Sequence, residues 1–339
     1  MAGDAGTDTM RAAVFKAPGE VVYERVPQPT LSPDRPEVLV RTELATICGS
    51  DVHAIHHGVG MTPAAVSPGY PGHEGVGEVV DSTTERFRPG ERVLTLPVPD
   101  LAAGFADYQV LGPEQLLRID DGEIPASTIV LAQQLGTVIH GIERFWPPGG
   151  ADVAAVVGAG SAGLLFIGEL LRRGTREIVV SDLDETRLDW ARRLGATQTV
   201  HAPHESIAEA VRARSGGRGA DIVIEAAGYD DARDAAVDCL AVGGTLGMFG
   251  LAERVGLSPF PVNTLFRRKA TVRAIYGAQS EPGLPSFRAA IARLTEEDAL
   301  PDVGKMLTHT YPIERIADAL AHASQPSGAC KIAVSFSDA

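Results

Sequence analysis

With 339 residues the chain has room for two domains of ordinary size, and 44% apolar against 22% charged residues is the make-up of a soluble globular protein, which excludes a disordered chain or a disulfide-dense miniature. Thirty basic against forty-four acidic side chains give a net charge of −14, a surface that repels phosphate backbones and anionic lipid, so neither nucleic acid nor membrane is expected as a partner. Three scattered cysteines, Cys48, Cys239 and Cys330, make no disulfide framework and no four-thiolate zinc site, and point to a reducing, cytoplasmic setting.

The opening MAGDAGTDTM has neither the basic region nor the apolar run of a signal peptide and reads as a mobile tail over residues 1–10. Short β-type runs broken by Pro and Gly follow: Ala12 to Phe15, Glu37 to Arg41, Gly75 to Val80, Arg92 to Leu96 and Tyr108 to Val110. They predict a mostly β unit over 11–135. From about Asp152 the texture becomes strand, helix, strand, helix, with VAAVV, Ser161 to Arg173, EIVVSD and Asp184 to Leu194. Asp221 to Ala226, Asp231 to Leu240, Thr245 to Phe249 and Ala270 to Tyr276 continue the alternation. Buried apolar strands alternating with amphipathic helices specify a parallel sheet covered on both faces, so 136–277 is predicted as a doubly wound α/β domain. The remainder, 278–339, holds two helix-like stretches, PSFRAAIARLTEE and PIERIADALAHA, and a closing strand from Lys331 to Phe336 that is expected to return to the first unit.

Gly158-Ala159-Gly160-Ser161-Ala162-Gly163 is a GxGxxG motif directly after an apolar strand and at the head of a helix. A tight turn there brings backbone N–H groups and a helix N-terminus against a pyrophosphate. The next strand ends at Asp182, nineteen residues past Gly163, where a carboxylate accepts hydrogen bonds from an adenosine ribose and repels a 2′-phosphate. NAD is therefore expected over NADP, although Arg187 is placed where it can reach a 2′-phosphate. Gly228, Gly247 and Phe249, read as following strand ends, are candidates for nicotinamide and ribose contacts or for turns alone.

The β unit carries two polar clusters, Ile47-Cys48-Gly49-Ser50-Asp51-Val52-His53 and Pro71-Gly72-His73-Glu74-Gly75. Thiolate, imidazole and carboxylate are the side-chain types that hold a catalytic zinc. Spacing alone does not decide it, because a single Cys and a single His twenty-five residues apart also occur as ordinary core or surface residues.

The order ICGSDVH, PGHEGVGEVV, RFRPGERV, GFADY and then the glycine motif resembles the zinc-dependent medium-chain alcohol dehydrogenases over nearly the whole chain, and ICGSDVHAIHHG is most similar to the polyol (sorbitol-type) branch. The resemblance implies a GroES-like catalytic domain beside a Rossmann domain. It makes Cys48 and His73 zinc ligands and Glu74 a ligand or a carboxylate beside the ion. A further zinc-contacting position falls on Gln133, where polyol-type members read glutamate; the neutral amide leaves three roles open, binding zinc, orienting a water or touching substrate. Between RPGERV and GFADY relatives commonly hold four cysteines for a structural zinc, whereas TLPVPDLAAG has none, so one catalytic zinc and no structural zinc is expected and oligomeric state becomes an open matter.

By the same resemblance a zinc-polarised alcohol gives hydride to C4 of NAD, with its proton leaving through Ser50, the nicotinamide ribose and His53. Lys331 matches a basic residue that approaches the coenzyme phosphates, with an ordinary solvated charge as the alternative. His140, in the apolar segment VIHGI, reads as a satisfied buried histidine. The expected function is a dehydrogenase of a secondary alcohol such as a polyol, sugar or cyclitol, acting as a dimer or tetramer. Two alternatives are a zinc-free quinone or enoyl reductase on the same scaffold and a non-catalytic NAD(H)-binding protein.

Overall fold

The computed structural model describes residues 8–57, 66–98, 102–120, 124–295, 303–325 and 328–337. In chain order the strands and helices are β1 (Thr9–Ala17), β2 (Glu20–Pro27), β3 (Val38–Ile47), α1 (Gly49–His57), β4 (Glu74–Ser82), β5 (Arg92–Thr95), β6 (Tyr108–Leu111), β7 (Leu116–Arg118), α2 (Ala126–Ile129) and α3 (Ala132–Phe145). Then come β8 (Val153–Val157), α4 (Ser161–Arg172), β9 (Glu177–Asp182), α5 (Glu185–Arg193), β10 (Gln198–His201), α6 (Ile207–Arg214), β11 (Ala220–Glu225), α7 (Asp230–Cys239), β12 (Leu240–Met248), α8 (Val262–Arg268) and β13 (Thr271–Ala274). The last elements are α9 (Pro285–Thr295), β14 (Leu307–Pro312), α10 (Ile316–Ala323) and β15 (Lys331–Ser335). None of the described helices is long and apolar enough to cross a membrane.

The chain divides into two compact units, 1–133 with 309–324 and 332–339, and 134–308 with 325–331. In the first unit β1 and β2 form a hairpin, and a larger sheet runs β14-β15-β3-β4-β5-β7. One edge of β3 is shared, its first half pairing with β6 and its last half with β15, so the closing strand lies antiparallel to the residues just before Cys48. β3, β5 and β15 are buried along most of their length, and Val38, Val40, Val79, Phe87, Val93, Leu111 and Leu116 form a core cluster of this sheet. Arg11 fastens the returning segment: its guanidinium donates to Asp107 at 3.0 Å, to Glu314 at 3.0 Å and to the carbonyl of Phe336 at 2.6 Å.

The second unit holds a six-stranded, wholly parallel sheet in the order β10-β9-β8-β11-β12-β13. Every residue of β8 is buried, as a strand covered on both faces requires. Its order places the first strand centrally, adds two strands on one side, then returns for three on the other, which is the doubly wound Rossmann arrangement.

Two boundaries differ from the sequence reading. Thr9 and Met10, assigned to the tail, open β1, with Met10 buried; residues 1–7 lie outside the described set. The second unit runs to 308 rather than 277, because Phe287 and Ala290 of α9 are fully buried and the Phe287 ring fills the space left by Gly136 of the same unit.

Candidate active site

The end of β3 and the start of β4 are paired, with Thr46 opposite Glu74, so Cys48, just past one strand, meets His73 and Glu74 at the head of the other. The turn before His73 needs Gly72, since a Cβ there would lie 2.7 Å from the backbone nitrogen of Phe105. One ligand atom each from Cys48, His73 and Glu74 lies within 4.8 Å of the other two, the one such group among the described residues. Three ligands at about 2.0 to 2.3 Å from a shared ion span a comparable distance, and thiolate, imidazole and carboxylate are a zinc donor set. The geometry and the donor chemistry both fit the ion.

Residues behind the ligands fix their orientation. His73 Nδ1 lies 2.9 Å from Asp51 Oδ1 and 3.2 Å from the Pro71 carbonyl, which leaves Nε2 on the side of the cluster, where Ser50 Oγ stands 3.4 Å away. Asp51 is itself held, its Oδ2 accepting the Cys48 N–H at 2.8 Å. Thr46 donates its hydroxyl to Glu74 at 2.5 Å, aiming that buried carboxylate. Burial pushes the Asp51 carboxyl above the usual range against the pull of His73. Burial also disfavours the His73 cation, but Asp51, with Cys48, outweighs it and holds the imidazole well above its ordinary value.

Ser50 lies in the first turn of α1, and His53, three residues on, is buried. Gln133 is buried near the start of α3, at the end of the first unit.

In the second unit Gly158 follows β8 at φ +100°, Gly160 precedes α4, and Ser161, Ala162 and Gly163 open it. A Cβ on Gly163 would sit 1.9 Å from the Gly158 carbonyl, so the turn closes only with glycine there. Asp182, ending β9, accepts the Ala159 N–H at 2.6 Å on one oxygen and the Asp184 N–H at 2.9 Å on the other. The carboxylate thus braces the glycine turn, and each oxygen keeps a lone pair for a ribose hydroxyl. Arg187 points its Nε to the Ala329 carbonyl at 3.4 Å. Gly228, at φ +85°, follows β11, and Phe249 directly follows β12 with its ring edge-on to Phe166.

The placement of one residue differs from the sequence reading. Gly247 is the second-last residue of β12 rather than following it, and the Phe145 ring occupies the place of its missing side chain. Lys331 is buried, with 2% of its surface exposed, which removes the solvated-charge alternative. His140 behaves as read: it is buried, accepts from Arg144 Nε at 2.9 Å on Nε2 and faces Glu281 at 2.6 Å through Nδ1. That pairing fixes the Nδ1–H tautomer, because Nε2 must accept. The sequence reading left out Asp51 and Thr46. Asp51 stands inside the motif that carries Cys48, so the carboxylate was in view; its contact with His73 was not.

Residues 34–134 match the alcohol dehydrogenase GroES-like domain and residues 163–296 the zinc-binding dehydrogenase domain. Over 80% of this chain and 85% of the relative, the sequence is 30% identical to an L-threonine 3-dehydrogenase of Chelativorans sp. (strain BNC1). The chain belongs to the zinc-dependent medium-chain alcohol dehydrogenases. It is also 26% identical to a sorbitol dehydrogenase of Bacillus subtilis (strain 168), with 95% of each covered. The fold is that of alcohol dehydrogenase TADH from Thermus sp. ATN1, with a TM-score of 0.82 at 24% identity over 97% of this chain and all of that one. This dehydrogenase is accordingly an enzyme of the zinc-containing, nicotinamide-dependent alcohol and polyol class, acting on a small molecule.

Proposed function

We propose that this dehydrogenase oxidises a secondary alcohol of the polyol, sugar or cyclitol kind with NAD as hydride acceptor. The convergence of Cys48, His73 and Glu74, with the Ser50 hydroxyl beside the metal-facing nitrogen of His73, carries the reading. Those three residues hold a single zinc, and Gln133 binds the ion, a water next to it or the substrate. When bound, zinc supplies positive charge that makes an alcohol hydroxyl more acidic. The chain's own residues do the rest. Asp51 holds the His73 proton on Nδ1 so that Nε2 stays a donor to metal, and Ser50 receives the hydroxyl proton. From Ser50 the proton would pass by way of the nicotinamide ribose to His53, one turn along α1. With NAD bound, the substrate's C–H electron pair would leave as hydride to C4 of the nicotinamide and its O–H proton through this relay, giving a ketone and NADH.

In the second unit the glycine turn receives the pyrophosphate, and Asp182 takes the adenosine ribose and disfavours NADP. Arg187, Gly228, Phe249 and Lys331 complete the coenzyme site in this reading. The relatives named for sorbitol and for L-threonine support a secondary hydroxyl as the reacting group. Assembly as a dimer or tetramer is supported by Leu257, Val262 and Phe266, all exposed, in the chain segment that leads into the sheet's edge strand β13.

A panel of polyols, cyclitols, aminocyclitols, sugars and L-threonine, followed at the NADH absorbance with either coenzyme, tests the reading. Turnover of a secondary alcohol with a KM for NAD about tenfold or more below that for NADP is expected. Reduction of quinones or enoyl compounds by a metal-free protein, or NADH binding without turnover of any alcohol, would replace it with one of the two alternatives.

A further inference from the structure

In the second unit the chain leaves β8 toward β9 and β10, then returns to lay β11 on the other side of β8. Loops from the C-terminal ends of β8 and β11 diverge at that point, and open α/β sheets take their ligands in the crevice so formed. One lip is the glycine turn after β8. The other is residues 226–228 after β11, backed by 249–251 after β12. These lips pack backbone against backbone: a Cβ on Gly228 would lie 2.0 Å from the Leu251 carbonyl oxygen, one on Gly250 2.3 Å from the Gly228 nitrogen, and one on Gly158 3.0 Å from the Ala227 side chain.

Packing without side chains needs another source of order, and it converges on Glu225, the last residue of β11. This glutamate is wholly buried. Its Oε1 accepts the N–H groups of Ala227 and Gly228, each at 2.7 Å, while its main-chain carbonyl accepts those of Phe249 and Gly250, each at 2.9 Å. Four amides from two loops therefore meet one residue. Arg233, also buried, donates to the Gly228 carbonyl at 3.0 Å and holds the same lip from behind. The other carboxyl oxygen, Oε2, is buried with no hydrogen-bond partner among the described residues. An acid left half-used in the interior is costly, and an apolar side chain would fill the place without that cost. What an apolar side chain lacks is the acceptor for the two loop amides.

We propose that Glu225 is a positioning residue for the coenzyme, fixing residues 226–228 and 249–250 as a preformed lip for the nicotinamide-ribose half of the dinucleotide. This rests on the dinucleotide reading of the second unit given above. Glu225 is too deep to touch the ligand and acts through the backbone it holds. Burial lifts its carboxyl above the usual range, opposed by the two amides, so a neutral side chain with the same acceptor is a fair substitute.

The test compares Glu225→Gln, which keeps the acceptor, with Glu225→Met, which keeps the volume and removes it. NADH binding is followed by fluorescence titration, with the KM for NAD, the KM for the alcohol and the zinc content measured alongside. E225Q is expected to bind NADH within about twofold of the natural protein, and E225M about tenfold or more weaker, the loss of one or two net hydrogen bonds. The alcohol KM at saturating coenzyme and the zinc content stay unchanged, which a general loosening of the fold would not allow. Glu225→Asp, whose shorter arm cannot reach both amides, supplies the comparison should E225M not fold. Unaltered NADH binding by E225M, or equal losses in E225Q and E225M, overturns the proposal. Failure of the natural protein itself to bind NADH overturns the dinucleotide reading instead.

Discussion

Asp51 gives His73 both an orientation and a proton preference. Its carboxylate sits 2.9 Å from Nδ1 and keeps that proton on the side away from the ligand cluster. Removing the charge while keeping the shape, as Asp51→Asn does, lets the ring take the other tautomer. Zinc affinity should then fall about 10- to 100-fold, read by competition with a chromogenic chelator; unchanged affinity would remove Asp51 from the site. The raised His73 value also sets a direction. Zinc must displace a proton from Nε2, so loading weakens as pH falls through the elevated imidazole value, and D51N shifts that loss to lower pH. At this scale the sequence showed the three candidate ligands but not their supports. Cys48, His73 and Glu74 stand in contiguous motifs, whereas the Asp51–His73 and Thr46–Glu74 contacts exist only once β3 and β4 have paired.

Elements with strong patterning were legible, and those held by context were not. β8, α4 and β9 were readable because every position of β8 is apolar and the glycine turn punctuates the strand and helix. β10 escaped notice because Val200 is its one fully buried residue, and α8 because none of its residues is buried. Capping of α5 joins local chemistry to chain return: Asp184 accepts the Thr186 N–H at 2.8 Å as N-cap and the Gly328 N–H at 2.9 Å from the closing segment. Burial would raise the Asp184 carboxyl, but the amides of Gly328 and Thr186 outweigh it and hold it below its ordinary value. A carboxyl lowered in the folded state favours the anion, so its contribution is full above the unfolded value of about 3.9 and is lost as pH falls through the folded one. Asp184→Ala should cost about 1 kcal/mol in denaturant unfolding near neutral pH and less below about pH 3. An equal cost at both pH values would contradict the carboxylate's role.

For the whole molecule, composition and charge argued against nucleic-acid and membrane partners, and motif order gave the two-unit plan. The point of return was misjudged because α9 is amphipathic in either setting; only the burial of Phe287 against Gly136 assigns it to the second unit. Gly247 shows the same limit, since a glycine read as following a strand end proved to be the second-last residue of β12, under Phe145. The central proposal is that Cys48, His73 and Glu74 hold a zinc ion. The most direct test is to strip the protein with a chelator, confirm its fold by circular dichroism, and compare alcohol oxidation before and after adding back zinc. Loss of at least about 99% of the rate on stripping, with recovery at about one zinc per chain, is the predicted result. A stripped, folded enzyme that oxidises its alcohol as fast as the reloaded one would contradict the account.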